Sequence, residues 1–244
     1  MTTSTSTAPT VVIVPGLRDH VADHWQTLLA ERLDTVRTVP PLERDKLSLA
    51  ARVAALDAVV ADIDGPVVLV AHSAGVAITV HWAQQSTRPV QGALLTTPPD
   101  LEEPLPAGYP TPGELEQGGW DPVPRRRLPF PSIVAASTND PMARFRRVAG
   151  MAESWGSKLV DLGAVGHLNP AAGYGYWPYA EELLRELIES TVVPGLANAV
   201  DDDAQGLRFG SRSGRGHPVR CVAGGRRVRV VRNPGRADRR DRRR

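Results

Sequence analysis

The most informative stretch of the sequence is Val67-Val68-Leu69-Val70-Ala71-His72-Ser73-Ala74-Gly75. It begins with a continuous apolar run, which is typical of a strand buried on both faces of a parallel sheet. A helical stretch from Val76 to about Gln85 follows it. Small residues stand two positions before and two positions after Ser73, as a sharp strand-to-helix turn requires. Such a turn exposes a serine hydroxyl, so Ser73 is predicted to be a nucleophile.

The same pattern is also compatible with a purely structural role for Ser73. A serine among small residues can simply belong to a tight turn. Ala71 departs from the strict Gly-x-Ser-x-Gly form, although a methyl group is tolerated at that position. The placement between a buried strand and a helix favours the nucleophile, because the helix N-terminus after Ser73 stabilises a developing negative charge.

Strands alternate with helices along most of the remaining chain. Further strands are predicted at Val11–Val14, Val90–Thr96, Ile133–Ala136 and Lys158–Leu162, and further helices at Trp25–Leu33, Leu49–Val60, Phe145–Trp155 and Tyr179–Glu189. The alternation predicts an α/β fold with a doubly wound, mostly parallel sheet and helices on both faces. Residues 98–131 interrupt it and are dense in proline and glycine. We expect them to run irregularly over the strand ends, without a large lid.

An acid and a histidine follow the serine in the order that an α/β-hydrolase requires. Asp140 comes just after the strand that ends at Ala136, and His167 lies in a loop after the next strand. Catalytic groups gather at the carboxyl ends of strands in open α/β sheets. Asp140 before a proline could instead be only a helix cap, and His167 could be an ordinary loop histidine. Their order and placement relative to Ser73 favour a catalytic triad.

Other acids and histidines are weaker candidates. Asp100 also follows a strand, but proline-rich chain separates it from that strand, so it ranks second as the acid. Asp161 lies inside a predicted strand. Among the histidines, His72 is held within the turn, His81 lies too far along the next helix, and His20 and His24 precede the serine.

The oxyanion hole and the pocket are predicted from loop positions. Two backbone N–H groups should bind the oxyanion, those of Ala74 after the nucleophile and Leu17 in the turn after the first strand. His24 is a candidate to line the pocket. Trp120, Tyr109 and Phe130 are the aromatic residues of the 98–131 segment, and they either wall the pocket or pin the segment to the core.

Composition divides the chain into unequal parts. The net charge is +2, but residues 195–244 hold fourteen Arg, no Lys and five Asp, which leaves 15 basic and 22 acidic residues in 1–194. We expect a disordered leader at 1–10, an α/β-hydrolase domain at 11–194 and a disordered Arg/Gly-rich tail at 195–244. The tail is either a nucleic-acid-binding arm or, as we prefer, an out-of-frame or read-through extension.

Several classes of protein find no support in the sequence. It contains no phosphate-binding loop, no Gly-x-Gly-x-x-Gly and no Cys/His cluster with zinc spacing, so no cofactor or metal is expected. No apolar run approaches the roughly 20 residues that span a bilayer, and no membrane partner is expected. A single cysteine, Cys221, excludes an internal disulfide and fits a reducing compartment, so we expect a cytoplasmic protein.

Several short motifs resemble those of one family of small serine hydrolases. They are Val14-Pro15-Gly16-Leu17, Asp23-His24-Trp25-Gln26, Val70-Ala71-His72-Ser73, Leu128-Pro129-Phe130-Pro131, Ala136-Ser137-Thr138-Asn139-Asp140-Pro141, Trp155-Gly156, Asp161-Leu162-Gly163 and Gly166-His167-Leu168-Asn169. The chain from about Val11 to Glu189 resembles the retinoblastoma-binding-protein-nine/YdeN family of α/β-hydrolases.

The resemblance implies a compact core without a large lid and the triad Ser73, Asp140 and His167. Alanine at position 71 is normal in that family. The retinoblastoma-binding motif Leu-x-Cys-x-Glu is absent, so that partner is not expected.

Together these observations predict a serine hydrolase that cleaves small carboxylic esters, or related acyl bonds such as amides, through an acyl-enzyme. Without a lid, short acyl groups should be preferred. The alternative is a non-catalytic binding protein on a hydrolase scaffold, because fold does not fix function. An intact Ser, Asp and His set favours the hydrolase.

Overall fold

The computed structural model describes residues 8–192 of the chain. Its strands are β1 Thr10–Val14, β2 Val36–Thr38, β3 Val67–His72, β4 Gly92–Thr96, β5 Ser132–Ala136 and β6 Lys158–Asp161. Its α-helices are α1 Trp25–Ala30, α2 Leu49–Ala61, α3 Ala74–Gln85, α4 Pro112–Gln117, α5 Phe145–Trp155 and α6 Tyr179–Val192, with a 3-10 turn at Pro170–Ala172.

The strands form one parallel sheet in the order β2-β1-β3-β4-β5-β6. Alternate residues of each strand point to opposite faces. On one face Val12 and Leu69 pack in a cluster with α2, α3 and α5, and on the other Val11 and Val68 pack with α1 and α6. The predicted α/β-hydrolase fold, with a doubly wound sheet and helices on both faces, is confirmed.

The strand order places a crevice between β1 and β3. The chain moves outward from β1 to β2 and then returns to the other side of β1 to form β3. At such a switch point the loops after the two strands separate, and ligands bind outside the carboxyl ends of the strands. The loop that begins at Pro15 and the turn at Ser73 therefore face each other here, since Val14 pairs with Ala71.

Most helices begin where the sequence predicts. Helix α5 has the predicted bounds, and Ser48 caps α2 by accepting a hydrogen bond from the Ala51 N–H at 3.2 Å. Strand β2 was not predicted, because three residues at a sheet edge, none of them buried, carry little hydrophobic pattern. Helix α1 ends at Ala30 rather than Leu33.

The 98–131 segment is irregular apart from one turn-and-a-half helix, α4, which the prediction of a wholly irregular excursion missed. Pro112 stands at the first turn, where its missing N–H costs nothing, and Thr111 and Glu114 form a capping box. Proline at this position begins a helix, so the proline content of the segment does not exclude one.

The predicted division into a leader, a domain and a tail stays a prediction. Residues 1–7 of the leader and the whole tail, 195–244, lie outside the described residues. Within residues 8–192, no helix has the length and apolar character needed to cross a bilayer.

Candidate active site

Ser73 lies on a strained turn between β3 and α3. Its backbone dihedrals are φ 56° and ψ −129°, a region that residues with a side chain rarely occupy and that occurs mostly at functional sites. The Ser73 N–H donates to the Thr96 carbonyl at 3.0 Å, which fixes the turn to β4. The turn therefore holds the Ser73 side chain at the carboxyl edge of the sheet.

The small residues around Ser73 are required by close backbone approach. A Cβ on Gly75 would lie 2.2 Å from the Val14 carbonyl oxygen and 2.8 Å from that of Pro15. A Cβ on Gly16 would lie 3.1 Å from the Ser73 Cβ. Ala71 is fully buried in the sheet, so its methyl group fits where the strict motif has glycine. The loop after β1 therefore rests directly against the nucleophile turn.

The structure brings Ser73, His167 and Asp140 together in one hydrogen-bonded line. The Ser73 Oγ lies 2.9 Å from His167 Nε2. His167 Nδ1 lies 3.0 Å from both carboxylate oxygens of Asp140. The Met142 N–H donates to Asp140 Oδ1 at 2.9 Å, and the carboxylate is almost fully buried. The carboxylate therefore accepts a hydrogen bond from the Nδ1–H group, which keeps the proton on Nδ1 and leaves the Nε2 lone pair free to accept the serine proton.

The loops that carry the acid and the histidine are tied to each other. The Asn139 Oδ1 accepts hydrogen bonds from the Gly166 N–H at 2.7 Å and from the Ser137 Oγ at 3.0 Å. The Val165 N–H donates to Ser137 Oγ at 3.3 Å. We assigned no role to Ser137 and Asn139 from the sequence. Their position in the sequence could have indicated this role. Small polar side chains directly after a buried strand tend to bond to backbone groups nearby, here those of the neighbouring loop.

The competing acids and histidines have other partners. Asp100 is buried and binds the Arg147 guanidinium in two hydrogen bonds of 2.6 and 3.0 Å, so it does not reach His167. Asp161 accepts a hydrogen bond from the Gly163 N–H at 2.8 Å. His20 is exposed in the loop after β1, and His81 lies on α3 beneath the 98–131 segment.

Leu17 and Ala74, the two predicted oxyanion donors, both line the cavity that contains Ser73. Within residues 8–192 neither backbone N–H has a hydrogen-bond acceptor. The Leu17 carbonyl accepts from Arg52 at 3.4 Å, and Arg52 also binds Asp19 Oδ1 at 3.0 Å. This buried arginine, which the sequence reasoning missed, anchors the loop that carries Leu17.

Two further histidines pack beside His167. The ring of His72 lies 5.0 Å from that of His167 and 4.6 Å from that of His24, measured between centroids. Burial, together with the charge of His167, lowers the pKa of His24 to about 4 and holds the pKa of His72 well below its usual value. Both rings are therefore neutral near pH 7.

Hydrogen bonds fix the tautomers of these neutral rings. His24 Nδ1 accepts from the Gln26 N–H at 3.2 Å, so its proton is on Nε2. His72 Nε2 lies 2.9 Å from the His167 carbonyl oxygen, which can only accept, so its proton is also on Nε2. His72 thereby supports the backbone of the base.

The cavity above Ser73 has a volume of about 150 Å³ and a mainly apolar lining. His24 lines it as predicted, and so do Tyr109 and Leu105 from the 98–131 segment. Trp120, predicted as a possible wall, lies elsewhere. Its side chain is fully buried, and its indole N–H donates to the Leu47 carbonyl at 2.7 Å. Trp120 therefore pins the segment to the core, and its interpretation as a pocket residue is wrong.

Phe130 also lies away from this cavity, beside Lys158 and α6. In the part of the chain that the structure describes, no group of three or more His, Cys, Asp or Glu side chains is placed to hold a metal ion.

Comparison with known proteins places these features in a wider group. A family model described as serine hydrolase matches residues 11–186. The chain is 30% identical to a YdeN-like hydrolase from Pectobacterium atrosepticum, with a TM-score of 0.64 and coverage of 75% of this chain and 91% of the other. No curated protein matches the chain in sequence.

Two more distant structures share the fold. The ydeN gene product from B. subtilis is 18% identical, with a TM-score of 0.59 and coverage of 75% of this chain and all (100%) of the other. Est1E from Butyrivibrio proteoclasticus, solved with bound ferulic acid, is 12% identical, with a TM-score of 0.57 and coverage of 78% and 90%. At these identities the likeness is one of fold alone.

Proposed function

Because the chain belongs to the YdeN-like family of small serine hydrolases with the α/β-hydrolase fold, we propose that it cleaves small carboxylic esters or related acyl bonds through an acyl-enzyme on Ser73. His167 is the general base and Asp140 the acid that orients it. The observation that carries the proposal is the 2.9 Å contact between Ser73 Oγ and His167 Nε2, with Asp140 bound to the opposite ring nitrogen.

In the acylation step Ser73 Oγ attacks the carbonyl carbon of the substrate while its proton passes to His167 Nε2. The imidazolium that forms is stabilised by the buried Asp140 carboxylate. Collapse of the tetrahedral intermediate breaks the bond to the leaving group, which takes the proton from Nε2. In the deacylation step a water molecule, deprotonated by His167, attacks the acyl-enzyme carbonyl. The bond to Ser73 Oγ then breaks, which releases the carboxylic acid and restores the serine hydroxyl.

The negative oxygen of each tetrahedral intermediate requires fixed donors. The N–H groups of Leu17 and Ala74 are the donors we propose, and their lack of acceptors within residues 8–192 supports this role. Ala74 is also the first residue of α3, so the positive end of that helix dipole lies at the site. Arg52 keeps Leu17 in place through its carbonyl.

The cavity limits the size of the substrate. Its volume of about 150 Å³ lies well below the range of roughly 300–1,000 Å³ that is usual for drug-sized ligands. Leu101, Leu105 and Met142 contribute apolar surface to it. We therefore propose short acyl groups, with no tunnel for a long chain and no activation at lipid interfaces.

A fluorophosphonate probe and a series of p-nitrophenyl esters test this function together. We expect the wild-type chain to be labelled once, at Ser73, and to give its highest kcat/KM on acetate or butyrate rather than palmitate. Ser73→Ala should lose both labelling and turnover while it keeps its thermal stability. Ser86→Ala, a change at the half-buried C-cap residue of α3, at the opposite end of the helix from Ser73, is the matched control and should keep both.

A binding protein on the same scaffold would give the opposite results. A serine that only fills a turn needs no base within hydrogen-bonding distance, whereas Ser73 has one. Esterase activity of the Ser73→Ala variant within a few-fold of the wild type would contradict the proposal. A maximum of kcat/KM on the longest esters would show instead that the proposed size limit is wrong.

A further inference from the structure

Arg18 stands at the mouth of the cavity that contains Ser73. It follows Leu17 in the loop after β1 and is exposed to solvent. Its guanidinium lies over the ring of Tyr109, 5.0 Å from the ring centroid, and both residues line the cavity. Stacking on an aromatic face leaves the N–H groups at the edge of the guanidinium free for an anion.

The charge of Arg18 is not balanced by a neighbouring acid. Among the ion pairs of residues 8–192, none includes Arg18. Asp19, the adjacent acid in the cavity wall, is paired with Arg52 at 3.0 Å, and both side chains are mostly buried. Asp140 is occupied by His167 and the Met142 N–H.

Apart from the uncharged Tyr109, the remaining titratable groups of the wall are histidines. His24 and His72 are neutral near pH 7, as burial dictates, and His167 is the base itself. The lining is otherwise apolar or uncharged. The cavity thus presents one uncompensated positive charge at its mouth and an apolar interior around Ser73.

We infer that the substrate is an ester or amide that also carries a carboxylate, and that Arg18 binds this carboxylate. The inference rests on the proposed hydrolase function. A carboxylate accepts two parallel N–H bonds from a guanidinium, so the pairing would orient the substrate as well as attract it. The small apolar cavity then accommodates the short part of the substrate that connects the carboxylate to the scissile bond.

The expected preference is moderate because Arg18 is exposed. Ion pairs at solvent-exposed sites contribute little, so kcat/KM should rise by roughly two- to fivefold for a carboxylate substrate over a neutral substrate of the same shape. The preference should also shrink from about 0.01 M to about 1 M salt, over which the Debye length falls from about 30 Å to about 3 Å.

Two matched pairs of substrates test the inference on the full chain. In the first pair the carboxylate is on the acyl side, with p-nitrophenyl hydrogen fumarate compared with p-nitrophenyl fumaramate. In the second it is on the leaving group, with p-acetoxybenzoate compared with p-acetoxybenzamide. Each pair replaces a carboxylate by an amide of nearly equal size. A ratio of kcat/KM of about two or more in either pair, lost at high salt, is the expected result.

Three variants assign that ratio to Arg18. Arg18→Gln should bring it close to one, and Arg18→Glu should bring it below one by repulsion. Tyr109→Leu should lower it partly, because the guanidinium loses the ring that orders it. Arg37→Gln is the matched control, since Arg37 is an exposed arginine on the edge strand β2 away from the cavity, and it should keep the wild-type ratio.

Ratios near or below one in both pairs for the wild type would overturn the inference, as would a high ratio that survives in Arg18→Gln. In either case hydrolysis of the neutral esters and fluorophosphonate labelling would leave the proposed hydrolase function standing. Failure to label Ser73 and to turn over any of the four esters would instead contradict the proposed function itself.

Discussion

His24 links the stability of the fold to pH, and replacing it by asparagine should remove that link. Its pKa is lowered from 6.5 to about 4 by burial first, then by repulsion from His167, against a smaller opposing effect of Asp23. Between these two values the unfolded chain binds a proton at His24 that the folded chain does not bind. Stability is therefore fully present above pH 6.5 and falls as the pH is lowered toward 4.

The size of the effect follows from the two pKa values. Between pH 7.5 and pH 5 the extra proton on the unfolded chain corresponds to a loss of about 2 kcal/mol in the free energy of unfolding. In a domain of this size that equals a fall in Tm of about 4 to 8 °C. His72 adds a further loss in the same direction, because its pKa is also lowered by burial.

The assay is urea unfolding of the wild type and His24→Asn at pH 7.5 and pH 5. Asparagine can still accept the Gln26 N–H and so keeps the cap of α1. The ring contact with His72 is lost at both pH values, so the variant should be less stable at pH 7.5. Its additional loss at pH 5 should be smaller than that of the wild type by about 2 kcal/mol.

His20→Asn is the matched control, since His20 is an exposed histidine of the same loop. It should keep the pH dependence of the wild type. Parallel stability curves for the wild type and His24→Asn would refute the reasoning, because they would mean that His24 binds its proton equally well in both states.

Three other changes test the site and the boundaries of the fold. Asp140→Asn should lower kcat on p-nitrophenyl acetate by roughly 10⁴ by favouring the wrong histidine tautomer, whereas Asp100→Asn should change kcat far less, and a reversed order would make Asp100 the acid. In urea unfolding Gly75→Ala should cost about 3 kcal/mol or more, because its Cβ would lie 2.2 Å from a strand carbonyl oxygen. Gly113→Ala, whose Cβ would meet nothing within 4 Å, should not destabilise the fold. Deleting residues 195–244 should leave kcat and Tm nearly unchanged, and a large fall in Tm would contradict the domain boundary.

The positions of Ser73, Asp140 and His167 could be predicted because each follows a strand of the parallel sheet. A parallel sheet brings the carboxyl ends of its strands to one edge, so order along the chain translates into proximity in space. Position 75 must be small because a Cβ there would meet the Val14 and Pro15 carbonyl oxygens of the neighbouring strand end, and the nucleophile-turn motif records this requirement in the sequence.

Contacts between distant residues left no such trace. The position of Trp120 in a loop made it a candidate to line the pocket. The orientation of its side chain is set instead by a hydrogen bond from the indole N–H to the Leu47 carbonyl, 73 positions earlier in the chain. Arg52 lies on α2 with no feature of the sequence to distinguish it, and only the fold shows that it reaches Leu17 and Asp19. The ion pair between Arg147 and Asp100, which shows that Asp100 is not the triad acid, could not be predicted from the sequence either.

The most direct test of the account is to trap the acyl-enzyme. The full chain is mixed with p-nitrophenyl acetate and quenched with acid, and the peptide that contains Ser73 is examined by mass spectrometry. The account predicts a burst of about one equivalent of p-nitrophenolate and an acetyl group on Ser73, with neither in Ser73→Ala. Steady turnover of the ester in Ser73→Ala at the wild-type rate, or an acetyl group on another residue of the wild type, would contradict it.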